Sequence, residues 1–443
     1  MEKLISKYFV PGKTFSLEEY VHDGGYKAAW TIFETRTPAD VIEAVKRSNL
    51  RGLGGAGFPT GMKWSFVPQN TGKPVYLVVN CDEGEPGTFK DKYILNHAPH
   101  LLLEGILIAA FANKVRKAFV YIRGEYEGPY QKLKRAVEEA KAKGFLGKNV
   151  FGSTHELEVV LHRGAGAYIC GEETGLLESL EGKKGLPRLK PPFPAAVGLF
   201  GCPTVINNVE TLSYLPFILH RGAAWFADLG SEKNGGMRLF GVSGHVKKPG
   251  VYELPMGTPL RKIIYDHAGG ILGDRKLKAV VPGGLSSAVL TPDEIDIGMD
   301  FDKLRAAGTM AGSGGVIVMD ETTCMVEALY VTMRFYAHES CGQCSPCREG
   351  TGWVSRILKR IVEGRGRLKD IDHLLDIGSY MTGTTICALA DGAAMPLLSY
   401  LQKFRGEFED YIRSGRKMGR EGDDGHETAG SCAKRGQVLV NVR

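Results

Sequence analysis

The stretch VYLVVNCDEGEPGTF, residues 75–89, decides the fold of the first part of the chain. Its five leading apolar residues predict a buried strand, and the acidic and glycine residues after them predict a loop at the strand's end. Further apolar runs at 118–122 and 157–161 predict two more strands, which alternate with predicted helices at 101–113 and 130–143. This alternation predicts a parallel sheet covered on both faces, a doubly wound α/β domain.

The pattern changes beyond residue 235. Residues 238–255 predict two short strands joined by a turn, and apolar runs at 279–281 and 316–318 add strand material, so a small α+β domain is expected. From residue 324 onward the periodicity is helical. Four helices are predicted, a pattern typical of a bundle, at 324–340, 351–363, 369–377 and 387–405.

We therefore predict five segments. They are a leader with the start of a glycine-rich loop (1–60), a Rossmann-like domain (61–235), a small α+β domain (236–322), a helical bundle (323–412) and a basic, glycine-rich tail (413–443).

Length and composition indicate an ordinary globular protein. The 443 residues exceed the ~100–200 of one domain, and 43% hydrophobic with 24% charged residues exclude collagen, coiled-coil and disordered classes. Because no apolar run approaches ~20 residues, no direct membrane insertion is expected. The first residues lack a secretory signal, which predicts a cytoplasmic protein. The net charge is +6, half of it in the tail, so no nucleic-acid partner is expected.

The motif ESCGQCSPCREG, residues 339–350, is the strongest chemical signal. Cys341, Cys344 and Cys347 stand three residues apart, which resembles part of a 4Fe–4S ligand set. Cys387 is the candidate fourth ligand, with Cys324 as its competitor. Structural zinc is the main alternative, although zinc sites usually pair their ligands and no second pair exists here.

The glycine-rich loop RGLGGAGFPTGMKW, residues 51–64, satisfies G-x-G-x-x-G. A dinucleotide fingerprint should follow a strand and open a helix, whereas a helical stretch precedes this loop. Closely spaced glycines nevertheless bring backbone N–H groups against an anion or a flat ring, and Lys63 is near enough to neutralise a phosphate. A tight structural turn is the alternative.

Two acidic groups, residues 82–85 and the pair Glu172–Glu173, each follow a predicted strand. Strand ends of a doubly wound sheet meet at the edge where ligands bind. Carboxylates there would repel phosphates, so they are expected to face ribose hydroxyls or an amide, which favours NADH over NADPH. Solvated acidic loops are the alternative.

The segment 182–212 has no regular period and is long for a loop, and such loops are usually functional or disordered. It offers cations, an aromatic face and two neighbouring amides at Lys183, Lys184, Arg188, Lys190, Phe193, Asn207 and Asn208.

Five motifs in register resemble the 51-kDa-type NADH-binding flavoprotein subunits of respiratory complex I. They are GLGGAGFPTGMKW (52–64), NCDEGEPGTF (80–89), GAGAYICGEETGLLESLEG (164–182), LKPPFPAAVGLFGCPTVINNVETL (189–212) and ESCGQCSPCREGT (339–351). The resemblance runs from about residue 20 to 410. One departure is Leu53, where many members carry arginine, so the role of that side chain stays open.

The resemblance implies a Rossmann-like domain for FMN and NADH, a small ubiquitin-like β-grasp domain, and a C-terminal four-helix bundle that holds one 4Fe–4S cluster. The implied FMN contacts are Gly52, Gly54, Lys63, Asn80, Asp82, Glu83, Tyr168, Gly171, Glu172, Asn207, Asn208 and Thr211, and Gly55 and Gly57 of the same glycine-rich loop are further cofactor-binding residues. The implied NADH contacts are Phe58, Phe66, Glu85, Glu173, Lys190 and Phe193. The implied cluster ligands are Cys341, Cys344, Cys347 and Cys387.

The implied activity is that of an NADH:quinone oxidoreductase. Hydride passes directly from NADH to FMN with no side chain acting as acid or base, and single electrons then pass to the cluster and through partner subunits to quinone. The implied partners are a thioredoxin-like 2Fe–2S subunit and other peripheral-arm iron–sulfur subunits. The complex would hold the chain at the inner face of the cell membrane, or on the matrix side in mitochondria.

Two other classes of function remain as alternatives. One is the diaphorase subunit of a soluble NAD-linked hydrogenase or formate dehydrogenase. The other is a non-enzymatic electron carrier or zinc-organised scaffold whose glycine loops bind nothing, which flavin content would distinguish.

Overall fold

The computed structural model describes residues 2–68 and 71–419. Most of the predicted basic tail, from residue 420, therefore lies outside the described residues. By contact density the chain divides into two units. The first comprises Met1–Gly84, Phe89–Phe240 and Val251–Thr258, and the second comprises Glu85–Thr88, Gly241–Gly250 and the chain from Pro259 onward.

The described chain contains eight strands and eighteen α-helices. The strands are β1 (Tyr76–Cys81), β2 (Lys117–Ile122), β3 (Glu158–Arg163), β4 (Thr204–Asn208), β5 (Met237–Gly244), β6 (Gly250–Pro255), β7 (Leu277–Val281) and β8 (Gly315–Asp320). The helices are α1 (Leu17–His22), α2 (Lys27–Thr35), α3 (Pro38–Arg47), α4 (Thr60–Ser65), α5 (Asp91–His97), α6 (Pro99–Ala112), α7 (Glu127–Ala142), α8 (Glu173–Leu180), α9 (Val209–Ser213), α10 (Leu215–Arg221), α11 (Ala223–Asp228), α12 (Leu260–Lys262), α13 (Phe301–Ala306), α14 (Met325–Glu339), α15 (Ser345–Arg360), α16 (Lys369–Met381), α17 (Leu389–Lys403) and α18 (Arg405–Arg413).

The first unit contains a four-stranded sheet in the order β3-β2-β1-β4, and all of its neighbouring strands run parallel. Val78 of β1 stands beside Phe119 of β2 on one side and Ile206 of β4 on the other. The predicted parallel α/β sheet is confirmed. The strand order reverses direction at β1, so a crevice at the carboxyl ends of β1 and β4 is the expected ligand position.

Helix α6 forms the centre of this unit and is buried on every side. Its single acid, Glu104, accepts hydrogen bonds from the Tyr20 hydroxyl (2.5 Å), the Tyr26 N–H (2.9 Å) and the Ala29 N–H (3.2 Å). Because these donors satisfy the carboxylate, it is tolerated in an apolar helix. The donors belong to residues 1–49, read from sequence as a leader, and the structure shows that this segment holds three helices.

The second sheet has the order β6-β5-β8-β7, with β5 parallel and β7 antiparallel to β8. This mixed sheet confirms the strands predicted in the middle of the chain. Strand β4 was not predicted from the sequence, because the segment 182–212 has no regular period and its strand is only five residues long.

The helices α14 to α18 make up the C-terminal part of the second unit. Four of them confirm predicted helices, and α18 is a fifth, joined to α14 by a hydrogen bond from the Tyr411 hydroxyl to Glu327 Oε1 (3.3 Å). Among the described residues no single helix is long and apolar enough to span a membrane. The pair α5 and α6 meets the length and composition criteria only when joined, and it is bent by 107°.

Candidate functional site

The glycine-rich loop lies against the end of β4 and the start of α9. The Leu53 N–H donates to Thr211 Oγ1 at 2.9 Å, and Leu53 itself is buried. A Cβ on Gly54 would stand 3.0 Å from Asn208 Cβ, so only glycine fits here without displacement. The loop follows α3 rather than a strand, as the sequence indicates, and its backbone is held at the switch point of the sheet.

Helix α4 connects this loop to both sides of the crevice through two neighbouring side chains. The Trp64 indole N–H donates to Asn207 Oδ1 at 2.9 Å. Lys63 Nζ donates to Glu173 Oε2 at 3.1 Å. Trp64 was not predicted as a site residue, because an indole beside a glycine loop is equally compatible with an ordinary core position.

A chain of alternating charges lies at the start of α8. Lys190 Nζ donates to Glu173 Oε1 (2.8 Å) and Glu172 Oε1 (2.9 Å), while Glu172 Oε2 caps α8 by accepting from the Thr174 N–H (2.8 Å). Burial alone would raise the pKa of Glu173, but Lys63 and Lys190 outweigh it and lower that pKa. The two lysines are thus gathered at this edge and paired with glutamates.

The end of β1 lies against the turn Tyr168–Gly171. Asn80 Nδ2 donates to the Gly171 carbonyl at 2.8 Å, and Asn80 Oδ1 accepts from the Asp82 N–H at 3.0 Å. A Cβ on Gly171 would lie 3.4 Å from the Asp82 carbonyl oxygen. The structure therefore brings Asn80, Asp82, Tyr168 and Gly171 together, as the resemblance implies.

Two predicted carboxylates are directed toward protein groups. Glu83 is 6% exposed and accepts from the Asp91 N–H (2.9 Å), the Lys92 N–H (3.0 Å) and the Tyr126 hydroxyl (2.8 Å), and burial raises its pKa to about 7. In the second unit, Glu85 accepts from the Ser286 N–H (2.7 Å) and hydroxyl (2.6 Å).

Three predicted aromatic residues are exposed in the first unit. Phe58, Phe66 and Phe193 have 44%, 56% and 59% of their surface exposed, and the rings of Phe58 and Phe66 stand 6.0 Å apart. Exposed rings of this size are available to pack against a flat ligand.

A buried charge group supports the amide of Asn208, and sequence analysis missed it. Lys90 Nζ lies 2.8 Å from Asp91 Oδ1 and 2.8 Å from Glu210 Oε2, and Asn208 Nδ2 donates to Asp91 Oδ2 at 2.6 Å. Burial would lower the pKa of Lys90, but the carboxylates raise it, while burial raises the pKa of Glu210. In the sequence these residues follow the acidic loop and the Asn207–Asn208 pair, a position that does not distinguish buried charges from solvated ones.

The cysteine motif lies at the beginning of α15 in the second unit. Cys344 precedes the helix and Cys347 lies in its first turn, where burial, then Cys341 and Cys344, raise the pKa of the Cys347 thiol. The Ile386 N–H donates to Cys344 Sγ at 3.5 Å, which brings the segment that contains Cys387 to the motif.

Cys324 lies at the opposite end of α14 from this motif. The fifteen residues of α14 correspond to about 22 Å of helix, so Cys324 is placed poorly to complete a shared centre. Over residues 2–68 and 71–419, no group of three or more His, Cys, Asp or Glu side chains is arranged around a single metal ion. A 4Fe–4S cluster requires a different arrangement, because each of its four thiolates binds a separate iron. An all-cysteine donor set suits such a cluster.

The first unit fits a flavin nucleotide. Its sheet edge combines glycine backbone at the crevice, lysines for phosphate, amides for a polar ring and exposed aromatic faces. With the cysteine segment of the second unit, these features define a redox protein that binds a nucleotide cofactor and an iron–sulfur centre.

Comparison with known families agrees with this class. Residues 45–216 match the family described as the Nuo51 FMN-binding domain, and residues 327–411 match the NADH-ubiquinone oxidoreductase-F iron-sulfur binding region. Residues 239–287 match the SLBB domain. The predictions of FMN and of a 4Fe–4S cluster are thereby confirmed at the level of the domains that bind them.

Curated relatives match over most of their length. The second NADH-quinone oxidoreductase F-type protein of Rhizobium meliloti (strain 1021) is 53% identical over 400 residues, covering 90% of this chain and 95% of the relative. The F-type protein of Rickettsia felis is 54% identical over 84% of this chain and 89% of the relative, and that of Mycobacterium tuberculosis (strain ATCC 25618 / H37Rv) is 50% identical over 93% and 94%. The chain belongs to this family, the F-type subunits of NADH-quinone oxidoreductase.

Solved structures also share the fold. A chain of an NAD+-reducing [NiFe]-hydrogenase in the air-oxidized state aligns with a TM-score of 0.79 at 35% identity, and the H2-reduced state aligns with 0.81 at 36%. Each alignment covers 90% of this chain and 67% of the hydrogenase chain.

Proposed function

We propose that this chain oxidises NADH within a quinone-reducing complex and passes the electrons on through its 4Fe–4S cluster. The observation that carries the proposal is the meeting of the glycine-rich loop, Lys63 and the amides of Asn207 and Asn208 at the switch point of the parallel sheet. Bound FMN would supply the conversion between hydride transfer and single-electron transfer.

The protein's part is to hold the flavin. The N–H groups of residues 52, 53 and 57 donate to the Phe58 carbonyl, Thr211 Oγ1 and the Gly52 carbonyl, so the backbone N–H groups of residues 54–56 and the ammonium of Lys63 would bind the phosphate of FMN, in the manner of glycine-rich anion sites. The flavin ring and ribitol face a set of polar and small residues, namely Asn80, Asp82, Tyr168, Gly171, Glu172, Asn207, Asn208 and Thr211. Glu83, whose carboxylate is bonded to the N–H groups of Asp91 and Lys92, supports the loop from within.

NADH binding needs flat surfaces and polar groups. The rings of Phe58, Phe66 and Phe193 would pack against the dinucleotide, and Glu173 and Lys190 would orient it by hydrogen bonding. Glu85 belongs to the second unit, where its Oε1 accepts from Ser286. A phosphate that approaches Lys63 or Lys190 competes with Glu173 for the ammonium groups. The carboxylates repel a 2′-phosphate, which favours NADH over NADPH.

Cys341, Cys344, Cys347 and Cys387 bind the four irons of the cluster. Electrons then leave for iron–sulfur subunits of the same complex, among them a thioredoxin-like 2Fe–2S subunit. That assembly attaches the chain peripherally to the inner face of the cell membrane, or to the matrix side in mitochondria.

The segment boundaries belong to the same proposal. Residues 61–235 form the FMN and NADH domain of Rossmann-like, doubly wound type, residues 236–322 a ubiquitin-like β-grasp domain, and residues 323–412 the cluster bundle, with α18 as an added helix. The parallel order of β1 to β4, the mixed second sheet and the SLBB match support this division.

A second candidate is the diaphorase subunit of an NAD-linked hydrogenase, which the alignment with the NAD+-reducing [NiFe]-hydrogenase favours. Identity to it is 35%, against 53% for the relative from Rhizobium meliloti, so the quinone-linked role has the stronger support.

Flavin content tests the nucleotide half of the proposal. Lys63→Ala is expected to lower the FMN retained by the purified chain at least fivefold, because the phosphate of FMN would lose the cation that binds it. The matched control Lys46→Ala removes an exposed lysine near the end of α3 and should retain flavin. Normal flavin content in Lys63→Ala would remove Lys63 from the site.

A further inference from the structure

A pocket at the amino edge of the parallel sheet has no part in the function proposed above. It has a volume of about 280 Å³, near the lower end of the range for small-molecule sites. Its floor is apolar and comes from α2, α6 and the segments that lead into β2 and β3, namely Phe33, Ala110, Phe111, Val115, Val150 and Leu157.

This pocket lies at the opposite edge of the sheet from the proposed nucleotide site. Its residues 114–116 immediately precede β2, and its residues 154–157 immediately precede β3. The nucleotide site lies where the parallel strands end, and strands of six residues are about 20 Å long. A molecule in the pocket therefore occupies a second site, whose existence does not depend on the proposed function.

Three rings pack together at the pocket. The ring centroids of Phe33 and Phe111 are 4.8 Å apart, and the His155 ring lies edge-on to Phe33 at 5.1 Å and 5.2 Å from Phe111. The backbone of His155 is fixed, because its N–H donates to Ser153 Oγ at 3.1 Å and its carbonyl accepts from the Val150 N–H at 2.9 Å. A cluster of this kind favours a flat, aromatic ligand.

The rim of the pocket carries an excess of positive charge. Lys114 and Arg116 are exposed, and neither they nor the rim's single carboxylate, Glu156, form an ion pair within the part of the chain that the structure describes. When Glu156 offsets one of the two cations, the other remains in excess. The neighbouring charges of Lys117 and Glu158 pair with each other at 2.8 Å. A ligand with a single negative charge complements this rim.

Lys114 has a backbone conformation that glycine usually adopts. Its φ is +55° just after the end of α6, where the Val115 N–H donates to the Ala110 carbonyl at 2.8 Å. Non-glycine residues in this region are uncommon, and such strained positions cluster at ligand sites. The turn thus places a lysine at the rim of the pocket at a position where glycine would be less strained.

We propose that this pocket binds a small aromatic carboxylate, a flat system of one or two rings with one negative charge. The rings pack against Phe33, Phe111 and His155, and the carboxylate pairs with Lys114 and Arg116. The cavity volume limits the ligand to this size, and the single excess cation favours a monoanion over a phosphate ester. Because the buried helix α6 lines the pocket, the bound ligand also stabilises the first unit by mass action.

A pair of ligands with the same shape tests the chemistry of the site. The purified, cofactor-loaded full chain is titrated in a calorimeter with 2-naphthoate and with the uncharged 2-naphthamide. We expect one molecule of 2-naphthoate to bind per chain, and 2-naphthamide to bind at least tenfold more weakly. Absent binding of 2-naphthoate, equal affinity for the two compounds, or equally tight binding of inorganic phosphate would overturn the proposal.

Variants of the rim test the location of the site. Lys114→Met with Arg116→Met is expected to weaken 2-naphthoate binding at least tenfold, and the exposed-ring variant His155→Ala severalfold. The matched control Lys134→Met with Arg47→Met, at exposed sites of the same unit, should bind 2-naphthoate normally. An unaltered melting temperature shows that each variant is folded. Unchanged affinity in both pocket variants, or loss of binding when NADH is present at saturation, would overturn the proposal.

Discussion

The nucleotide edge of the first unit and the cysteine segment of the second are held by different kinds of contact. At the nucleotide edge the proposed ligand-binding groups hold one another: Trp64 bonds to Asn207 at 2.9 Å and Asn80 to Gly171 at 2.8 Å. The cysteines are instead held by contacts to sulfur, with the Ile386 N–H 3.5 Å from Cys344 Sγ and Ser340 Oγ 3.3 Å from Cys347 Sγ. The proposed nucleotide site is therefore held by hydrogen bonds between its own groups, whereas we propose that a bound cluster would supply much of the cohesion of the cysteine segment.

Removal of cluster ligands should give the largest effect. It should change the iron content of the cysteine segment and leave the flavin content of the nucleotide edge unchanged. Cys344→Ala with Cys347→Ala is expected to lower bound iron from about four atoms per chain to near zero, because two of the four irons lose their thiolate and alanine supplies no ligand. FMN content should stay within twofold. Iron analysis and flavin absorbance measure both quantities, and equal loss of flavin and iron would contradict the independence of the two sites.

Disruption of the buried charge group formed by Lys90, Asp91 and Glu210 should have the second-largest effect, a loss of stability at the nucleotide edge. Lys90→Met leaves Asp91 and Glu210 without their cation, a change that typically costs ~3–5 kcal/mol. Urea unfolding followed by tryptophan fluorescence checks this value. Lys92→Met, at the exposed neighbouring lysine, is the control. A loss below ~1 kcal/mol would show that the group does not support the edge.

A methyl group at Gly54 tests how tightly the glycine loop fits. Gly54→Ala places Cβ 3.0 Å from Asn208, and such overpacking costs ~1–3 kcal/mol. We expect a severalfold increase in the FMN dissociation constant, measured by fluorescence titration of the flavin-free chain. Gly128→Ala, where a Cβ meets no atom within 4 Å, should leave FMN affinity unchanged.

The smallest expected effect concerns the pH dependence of the stability that comes from the ion pairs of Lys63 and Lys190 with Glu173. Lys63 and Lys190 lower the pKa of Glu173, so the stability from this carboxylate is present above its unfolded pKa near 4.5 and is lost as pH falls through the folded value. Lys190→Met should reduce stability at pH 7 by under ~1 kcal/mol, because the groups are partly exposed. Thermal melts from pH 7 to 3 should show this difference constant above about pH 4.5 and shrinking below it. A difference that grows toward pH 4 would contradict the assigned pairing.

Strands β1 to β3 were predictable because each is a run of apolar residues that stands out in the sequence. The apolar residues of β1, β2 and β3 alternate with helices, and this pattern alone predicts the parallel sheet. The short strand β4 was not predictable, since its residues TVINN end in two amides within an irregular, proline-rich segment. Helices α1 and α2 were read as part of a leader, and only the helical stretch before the glycine-rich loop, where α3 lies, was recognised, because the apolar residues of these helices become core only against α6.

For the site, the residue types were predictable but several of their contacts were not. The spacing of Cys341, Cys344 and Cys347 limits the chemistry to a metal–thiolate centre, and the resemblance adds Cys387. Sequence cannot show that Glu83 is buried among N–H donors or that Lys90 is paired with Glu210, because these facts depend on contacts between distant segments. The charged residues that support the site from within, such as Lys90 and Glu210, were therefore not predicted from the sequence.

The central claim is that electrons from NADH reach the cluster through a flavin on the same chain. An anaerobic titration with NADH, followed by visible absorption and EPR, tests it most directly in the unaltered chain, in Cys387→Ser and in the control Cys324→Ser. The account predicts flavin bleaching in all three and a reduced-cluster EPR signal in the unaltered chain and in Cys324→Ser but not in Cys387→Ser. A chain that binds no flavin, or a cluster signal that survives in Cys387→Ser and vanishes in Cys324→Ser, would contradict it.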